Sequence, residues 1–276
     1  GLGVMGFADM LFELGIPYNS EEALQTGTDI MRFLNEEATK ASVELGMERG
    51  VFPAFEGSIY DIPNGPRLRN ASRTTIAPTG TLSIIAGCSS GIEPVFAFAH
   101  KRKTLYDRQG ATETLEFFHP ILREELEKVG LLKDEIVEQI TLEGSLQGVK
   151  EIPAEMKRVF VTALDISPQY HIKMQSAFQE FTDNAVSKTV NMPNSATVEE
   201  VRDIFMMAYK LRCKGITIYR DGSREEQVLE PGLNPEEADK MPRRRREEAF
   251  CPDCGAEIEA GTRFMVCKSC GYCECF

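Results

Sequence analysis

The sequence predicts an α/β fold with parallel strands, and three patterns carry that expectation. Short β-branched runs at residues 73–77, 186–192 and 216–219 read as strands. Segments with apolar residues at helical spacing stand between them. The order strand, small-residue turn, helix over residues 73–86 is that of a parallel-sheet crossover.

Taken in order, Val4, Phe7, Ala8, Leu11 and Leu14 lie at helical spacing over residues 1–15, and Gly15 with Pro17 ends that helix. Asn19 followed by Glu22 has the form of a capping box for a second helix. Its apolar face is Ile30, Leu34, Ala38, Ala41 and Leu45, and residues 46–53 close it. A loop rich in Gly and Pro leads to the strand at 73–77. Pro78-Thr79-Gly80-Thr81 breaks that strand, and helical character resumes over 82–86. Residues 95–99 and 159–164 are apolar runs too short to assign. Helix is expected from Ser167 through Phe181, with Pro168 suited to a first turn. After the strand at 186–192, Thr197 and Glu200 make a capping box before the stripe Val201, Ile204, Phe205, Ala208 and Leu211. Gly215 ends that helix, and residues 216–219 form a further strand. The pattern then dissolves into charge, Gly and Pro until about residue 248, the composition of a linker. There is no internal repeat.

With 276 residues, 42% hydrophobic and 27% charged, the chain is long enough for one or two domains with a sizeable core. A net charge of -12 argues against a broad nucleic-acid-binding surface. The basic run Arg243-Arg244-Arg245-Arg246 is flanked by acidic residues and reads as solvated linker. No apolar stretch is long enough to span a membrane, and no secretory signal opens the chain. The chain begins without an initiator Met in an apolar helix, so further segments are expected upstream. All cysteines except Cys88 and Cys213 fall between Cys251 and Cys275. Paired Cys-x-x-Cys spacing without a signal peptide favours metal or redox chemistry in a reducing cytoplasm.

The turn of Pro78, Thr79, Gly80, Thr81, Leu82 and Ser83 is the first candidate site. A strand delivers the chain to small hydroxyl residues and a Gly that open a helix. The first N–H groups of a helix lack partners and sit at its positive end, so such a turn suits an anion. Gly80 admits close backbone approach, and the hydroxyls of Thr79, Thr81 and Ser83 can donate. A plain N-cap would use the same residues, and spacing alone leaves both open.

The stretch from Leu68 to Pro94, which ends Gly87-Cys88-Ser89-Ser90-Gly91-Ile92-Glu93-Pro94, resembles the substrate-diphosphate segment of ribonucleotide reductase large chains. It is most similar to the adenosylcobalamin-dependent (class II) family. Residues 1–11, 165–171, 181–189 and 215–223 agree with that class, in the right order and over nearly the whole chain. The resemblance implies the C-terminal half of a ten-stranded α/β barrel over residues 1–224, a flexible charged linker over 225–248, and a cysteine-rich tail over 249–276. It implies ribonucleotide reduction by thiyl-radical chemistry begun from adenosylcobalamin, with the Pro78-to-Ser83 turn holding the substrate's phosphates, and it leans to diphosphates. The family's finger-loop motif, Asn-x-Cys-x-Glu, is absent from these residues. Neither Cys88 nor Cys213 matches a redox position; both are expected to be small buried residues. The chain alone is therefore not expected to reduce ribonucleotides and needs the upstream part of the same enzyme. The resemblance leaves room for a homodimer.

In the tail, Cys251 with Cys254 and Cys267 with Cys270 form two knuckles, each followed by Gly, that can aim four thiolates at one zinc ion. A redox dithiol set with incidental zinc has the same residues. Cys273 and Cys275 lie beyond those four, near a terminus expected to fray. The resemblance implies that a mobile cysteine pair re-reduces the active site and is recharged by a thioredoxin-type donor. With one residue between them, a Cys273–Cys275 disulfide is strained, so one of them paired with Cys270 or Cys267 is the other option. Of the histidines, His171 is expected to be a satisfied structural residue, and Glu93 to anchor a turn. Two further readings remain. One is a glycyl-radical reductase fragment, against which Gly271-Tyr272 sits in the wrong setting. The other is a zinc-ribbon interaction protein in which the α/β part is scaffold.

Overall fold

The computed structural model describes residues 1–103 and 114–223, together with strand segments at 249–250, 257–260, 264–266 and 273–275. The chain divides into two compact units, Gly1–Leu233 and Asn234–Phe276.

The first unit is built on a parallel array. Leu2 bridges Thr74, Ile76 bridges Val186, and strands β3 (Thr189–Met192) and β4 (Thr217–Arg220) pair in register from Thr189 with Thr217 to Met192 with Arg220. The order across the array is therefore residues 1–4, 73–77, 186–192, 217–220. Each crossover is helical, as parallel pairing requires. Helices α1 (Phe7–Leu14) and α2 (Glu21–Arg49) lie between the first two segments in sequence. Helix α8 (Val198–Lys210) lies between the last two. Thr74 and Ile76 are buried while Arg73 and Thr75 are half-exposed, the alternation of an extended segment.

Helix α7 (Pro168–Gln179) packs on α2, α8 and β3 and closes the core over the array. Phe7, Leu11, Met31, Ile76, Met174, Phe178 and Val186 form one buried cluster, in which Phe7 meets Phe178 edge-on at 5.0 Å. Each such side chain contributes about 1.5–3 kcal/mol by leaving water. Ile172, Val190, Met192, Ile204 and Ala208 make a second cluster under α8.

Residues 95–163, mostly unassigned from sequence, hold a third cluster around Phe12, Phe98, Leu122, Leu126, Ile140 and Phe160. Its elements are the antiparallel hairpin β1 (Ala99–Lys103) and β2 (Thr114–Phe118), and helices α3 (Gly80–Ala86), α4 (Pro120–Lys128), α5 (Asp134–Glu143) and α6 (Ala154–Val159) complete the unit. The apolar runs at 95–99 and 159–164 are largely buried but mostly irregular, which is why neither period showed in them. The second unit carries an antiparallel sheet in the order β5 (Ala249–Phe250), β6 (Glu257–Ala260), β7 (Phe264–Val266), β8 (Cys273–Cys275).

Four expectations need correction. The first six residues are not helical: Leu2 N–H donates to Arg73 O and Thr75 N–H to Leu2 O, so array pairing holds them extended, and α1 starts only after Gly6 at φ 79. The N-cap of α2 is Ser20, whose hydroxyl accepts from Ala23 N–H at 3.1 Å; Asn19 lies one residue outside. Ile30 and Leu34 of the expected face of α2 pack against the core, but its fully buried positions are Ala23, Gly27, Met31, Ser42 and Gly46, mainly small residues that a search for large apolar ones misses, and Ala41 is exposed. On α8 the capping box forms as expected, but Phe205 faces solvent, and the chain turns at Arg212, at φ 58, before Gly215.

Gly46 is required by close approach, since a Cβ there would stand 2.1 Å from the carbonyl oxygen of Arg67. Gly46→Ala is expected to lower stability by about 1–3 kcal/mol, although alanine gains about 1 kcal/mol in helix propensity. Thermal unfolding of the full-length protein checks this, and an unchanged midpoint would contradict it.

Candidate functional site

The segment at 73–77 ends at Pro78, on the carboxyl edge of the array, where α/β folds place their ligands. Thr79 adopts the left-handed conformation at φ 49, which costs a non-Gly residue roughly 1–2 kcal/mol. It does not cap α3 with its side chain. Its hydroxyl instead accepts from Gly91 N–H at 2.8 Å, while its carbonyl accepts from Ser83 N–H at 2.8 Å. Pro78, Gly80, Thr81 and Leu82 are exposed, with open space beside Gly80. The first helical N–H groups have no carbonyl one turn back, so they are available to a ligand.

Of the three hydroxyls expected to face an anion, then, only that of Thr81 is freely exposed. Ser83 is buried, with its Oγ 2.8 Å from Ser90 Oγ, and stands behind the turn.

Residues 88–93 form a strap behind this loop. Gly6 N–H donates to Ser89 O, and the Tyr18 hydroxyl to Ile92 O at 2.6 Å. Gly91, at φ 49, lies so near that a Cβ would come within 3.1 Å of Ala77 O. Its N–H can therefore reach Thr79, and no larger residue would fit without displacing the loop.

The strap ends at Glu93, and Glu93 meets a buried cation. Lys188, fully buried in the run leading into β3, directs its three N–H bonds to Glu93 Oε2 at 2.7 Å, His171 Nδ1 at 2.8 Å and Thr189 O at 2.5 Å. Glu93 Oε1 accepts from Thr189 N–H at 2.6 Å. His171 Nε2 lies 2.9 Å from Ala163 O, which can only accept, so Nε2 carries the hydrogen and Nδ1 receives the lysine. Burial, aided by the charge of Lys188, pushes the His171 imidazole down to about 3, so it is neutral. Burial also lowers the pKa of Lys188 while Glu93 opposes the shift; three acceptors around one nitrogen require the ammonium form.

His171 is thus the satisfied buried histidine expected, and Glu93 does anchor a turn. The sequence reading assigned Lys188 no part. Its signal was a charged residue in register with the apolar side of the alternation Val186, Val190 and Met192. Lys188 also lines a cleft of about 480 Å³ with Ala77, Pro78, Ser187 and Gly215.

At the other edge of the array, Arg73 and Asp183 form a buried bidentate pair. Nε and Nη2 of Arg73 reach the two carboxylate oxygens at 2.9 and 2.7 Å, and the Arg73 and Thr74 N–H groups also donate to Oδ2. A cleft of about 730 Å³ opens beside it, lined in part by Asn35, Tyr60, Asp183 and Lys214.

Cys88 and Cys213 are only partly buried, not the buried residues expected. Burial raises both thiols, and Asp9 raises Cys88 further, so neither is activated as a nucleophile. His119 has Nε2 3.2 Å from Asp9 Oδ1. Cys251, Cys254, Cys267 and Cys270 lie outside the described residues. Cys273 and Cys275 fall in β8, whose backbone pairs with β7 from Val266 to Phe264. Among the described residues there is no group of three or more metal-ligating side chains, and no helix is long and apolar enough to cross a membrane.

Comparison with known proteins places this geometry. Residues 1–63 and 64–219 match the ribonucleotide reductase barrel domain. A vitamin B12-dependent ribonucleoside-diphosphate reductase from Thermoplasma acidophilum is 48% identical over 266 residues, covering 92% of this chain and 34% of the relative. One of the same name from Mycobacterium tuberculosis H37Rv is 47% identical over 229 residues, covering 83% of this chain and 31% of the relative. Among solved structures, the class Id ribonucleotide reductase alpha subunit of Actinobacillus ureae superposes with a TM-score of 0.68 at 26% identity, over 80% of this chain and 39% of that one. The chain spans about a third of the length of the curated relatives it matches. With a parallel array, a hydroxyl-rich loop at its carboxyl edge and a family match over most of its length, the chain belongs to the ribonucleotide reductase barrel-domain family.

Proposed function

We propose that this chain is the C-terminal part of an adenosylcobalamin-dependent ribonucleotide reductase, acting on ribonucleoside diphosphates to supply DNA precursors. The observation that carries the reading is the Pro78-to-Ser83 loop. It stands at the carboxyl edge of a parallel array in a chain of this family, with Pro78, Gly80, Thr81 and Leu82 exposed. The names of the relatives at 47–48% identity support the cofactor and the diphosphate substrate.

In this reading the four parallel segments are part of half of a ten-stranded barrel, completed by the upstream part of the same enzyme. The loop's N–H groups and the Thr81 hydroxyl hold the substrate's phosphates and so fix the ribose for reaction. The loop itself moves no electron. Adenosylcobalamin, when bound, supplies the initiating radical. The described imidazoles do not fit it: His119 and His171 are buried against inward partners and offer nothing to a cobalt.

The tail is a zinc-ribbon-like module. Four thiolates from Cys251, Cys254, Cys267 and Cys270 are the donor set of a structural zinc site, which would stabilise the fold of the module. Cys273 and Cys275 serve as the reductive pair, recharged by a thioredoxin-type donor in the cytoplasm. The reading leaves room for a homodimer.

Replacing Thr79 and Thr81 together with Val in the full-length enzyme is expected to weaken ribonucleoside diphosphate binding about 10- to 100-fold, through loss of the Thr81 bond to a charged phosphate and of the Thr79–Gly91 bond that holds the loop. Affinity for the matching unphosphorylated nucleoside should not change. Equilibrium binding of both decides the matter, and unchanged diphosphate affinity would remove the phosphate-loop assignment.

A further inference from the structure

We propose that Lys188, acting through Glu93, is a positioning residue for the Pro78-to-Ser83 loop, and that this pair sets the grip on the substrate's phosphates without touching them. The inference rests on the reading of that loop as the phosphate cradle.

The connection can be followed bond by bond. Lys188 is fully buried and spends all three N–H bonds on Glu93, His171 and Thr189. Glu93 answers with both carboxylate oxygens, one to Lys188 and one to Thr189 N–H, so it is fixed in direction as well as place. Two residues back, Gly91 N–H holds the Thr79 hydroxyl at 2.8 Å. One residue further back, Ser90 Oγ holds Ser83 Oγ at 2.8 Å. Both ends of the loop therefore hang on the strap, and the strap ends on the buried cation.

Thr79 is what makes such an anchor necessary. Its left-handed backbone is strained, and it persists only where neighbours over-determine it. With the Gly91 bond loosened, Thr79 relaxes toward an ordinary conformation and the N–H groups of Gly80 and Thr81 turn away from a common point. A short polar contact could have tied the strap to β3. Glu93 is the carboxylate that balances this desolvated ammonium, whose other N–H bonds go to neutral acceptors, so the pair holds Glu93 in a single arrangement. His171, neutral and accepting through Nδ1, completes the cage without competing for the carboxylate.

The test compares steady-state kinetics of full-length Glu93→Gln, Lys188→Met and the Thr79→Val/Thr81→Val pair, with a ribonucleoside diphosphate as substrate. Glu93→Gln keeps the side-chain shape and can still accept from Thr189. It is expected to raise KM about tenfold with kcat within about threefold of the parent, because lost positioning of the phosphates is lost binding. Lys188→Met should shift KM in the same direction; where it fails to fold, Glu93→Gln carries the test alone. A residue that only supports the fold lowers the active fraction, and with it the apparent kcat, and leaves KM alone. If the threonine pair raises KM while Glu93→Gln does not, the positioning role is overturned and the cradle stands. If the threonine pair leaves diphosphate KM and affinity unchanged, the cradle falls and this inference falls with it.

Discussion

Asp183→Ala is expected to destabilise the first unit by about 3–5 kcal/mol, the cost of leaving one half of a buried ion pair without its partner. The Asp183 carboxylate receives both arms of the Arg73 guanidinium and the N–H groups of Arg73 and Thr74. The Arg73 and Asp183 side chains are only 9% and 15% exposed. Water from the adjoining cleft replaces the lost bonds only in part, and Arg73 would be left charged among Thr39, Tyr60 and backbone. Hydrogen exchange of α7 and β3 amides in the full-length protein measures the change. Unaltered protection would mean that the pair is no more than a surface contact.

The same carboxylate gives a dependence on pH. Burial pushes Asp183 up, but the Arg73 guanidinium and the two backbone N–H donors outweigh it and hold it below the usual aspartate value. The folded state thus binds its proton less readily than the unfolded chain. The stability this contributes is present above the unfolded pKa of about 3.9 and is lost as pH falls through the lower folded value. Asp183→Ala should flatten that acid limb of the stability profile while lowering its plateau.

Replacing Cys273 and Cys275 together with Ser is expected to abolish thioredoxin-driven turnover of the full-length enzyme while sparing turnover with a small dithiol. Thiol exchange needs an attacking thiolate that can travel between donor and active site. A small dithiol diffuses to the active-site disulfide and needs no carrier. Serine keeps the size of the side chain and removes only the sulfur chemistry. Full thioredoxin-driven activity in the double variant would assign the shuttle to other cysteines, with Cys267 and Cys270 the next to replace. Loss of activity with both reductants would instead indicate that the substitutions disturb the enzyme beyond the tail.

The sequence carried the parallel architecture well because its strands are short β-branched runs bounded by turn residues. The capping box at Thr197 and Glu200 and the Pro168 helix start are local chemistry, and both form as read. Longer-range demands decided the rest. Residues 1–6 have a helical pattern but are held extended by backbone pairing with residues more than a domain segment away. The contact face of α2 has Gly27 and Gly46 where Phe178 and the Arg67 backbone come too close for larger side chains. Hydropathy does not register that demand.

At the candidate site the turn itself was legible and its internal roles were not. Thr79 and Ser83 look alike as hydroxyl donors in sequence. Only the strap at 88–93 turns Thr79 toward Gly91 and Ser83 toward Ser90. Lys188 was hidden for a related reason: the carboxylate and imidazole that complete its cage come from separate parts of the chain.

The order of segments in the array bears on how the protein comes to be folded at all. Neighbours in space are remote in sequence, as the Arg73–Asp183 contact across 110 positions illustrates. The loop-closure cost of such pairings falls due before any of their stabilisation arrives, which makes this topology slow to assemble. The run 186–192 is paired on both sides. Until it has emerged from the ribosome, the second segment presents an open edge and the last strand has nothing to join. At roughly 5–20 residues per second that leaves an interval of several seconds in which the growing chain is most open to mispairing and most in need of a chaperone.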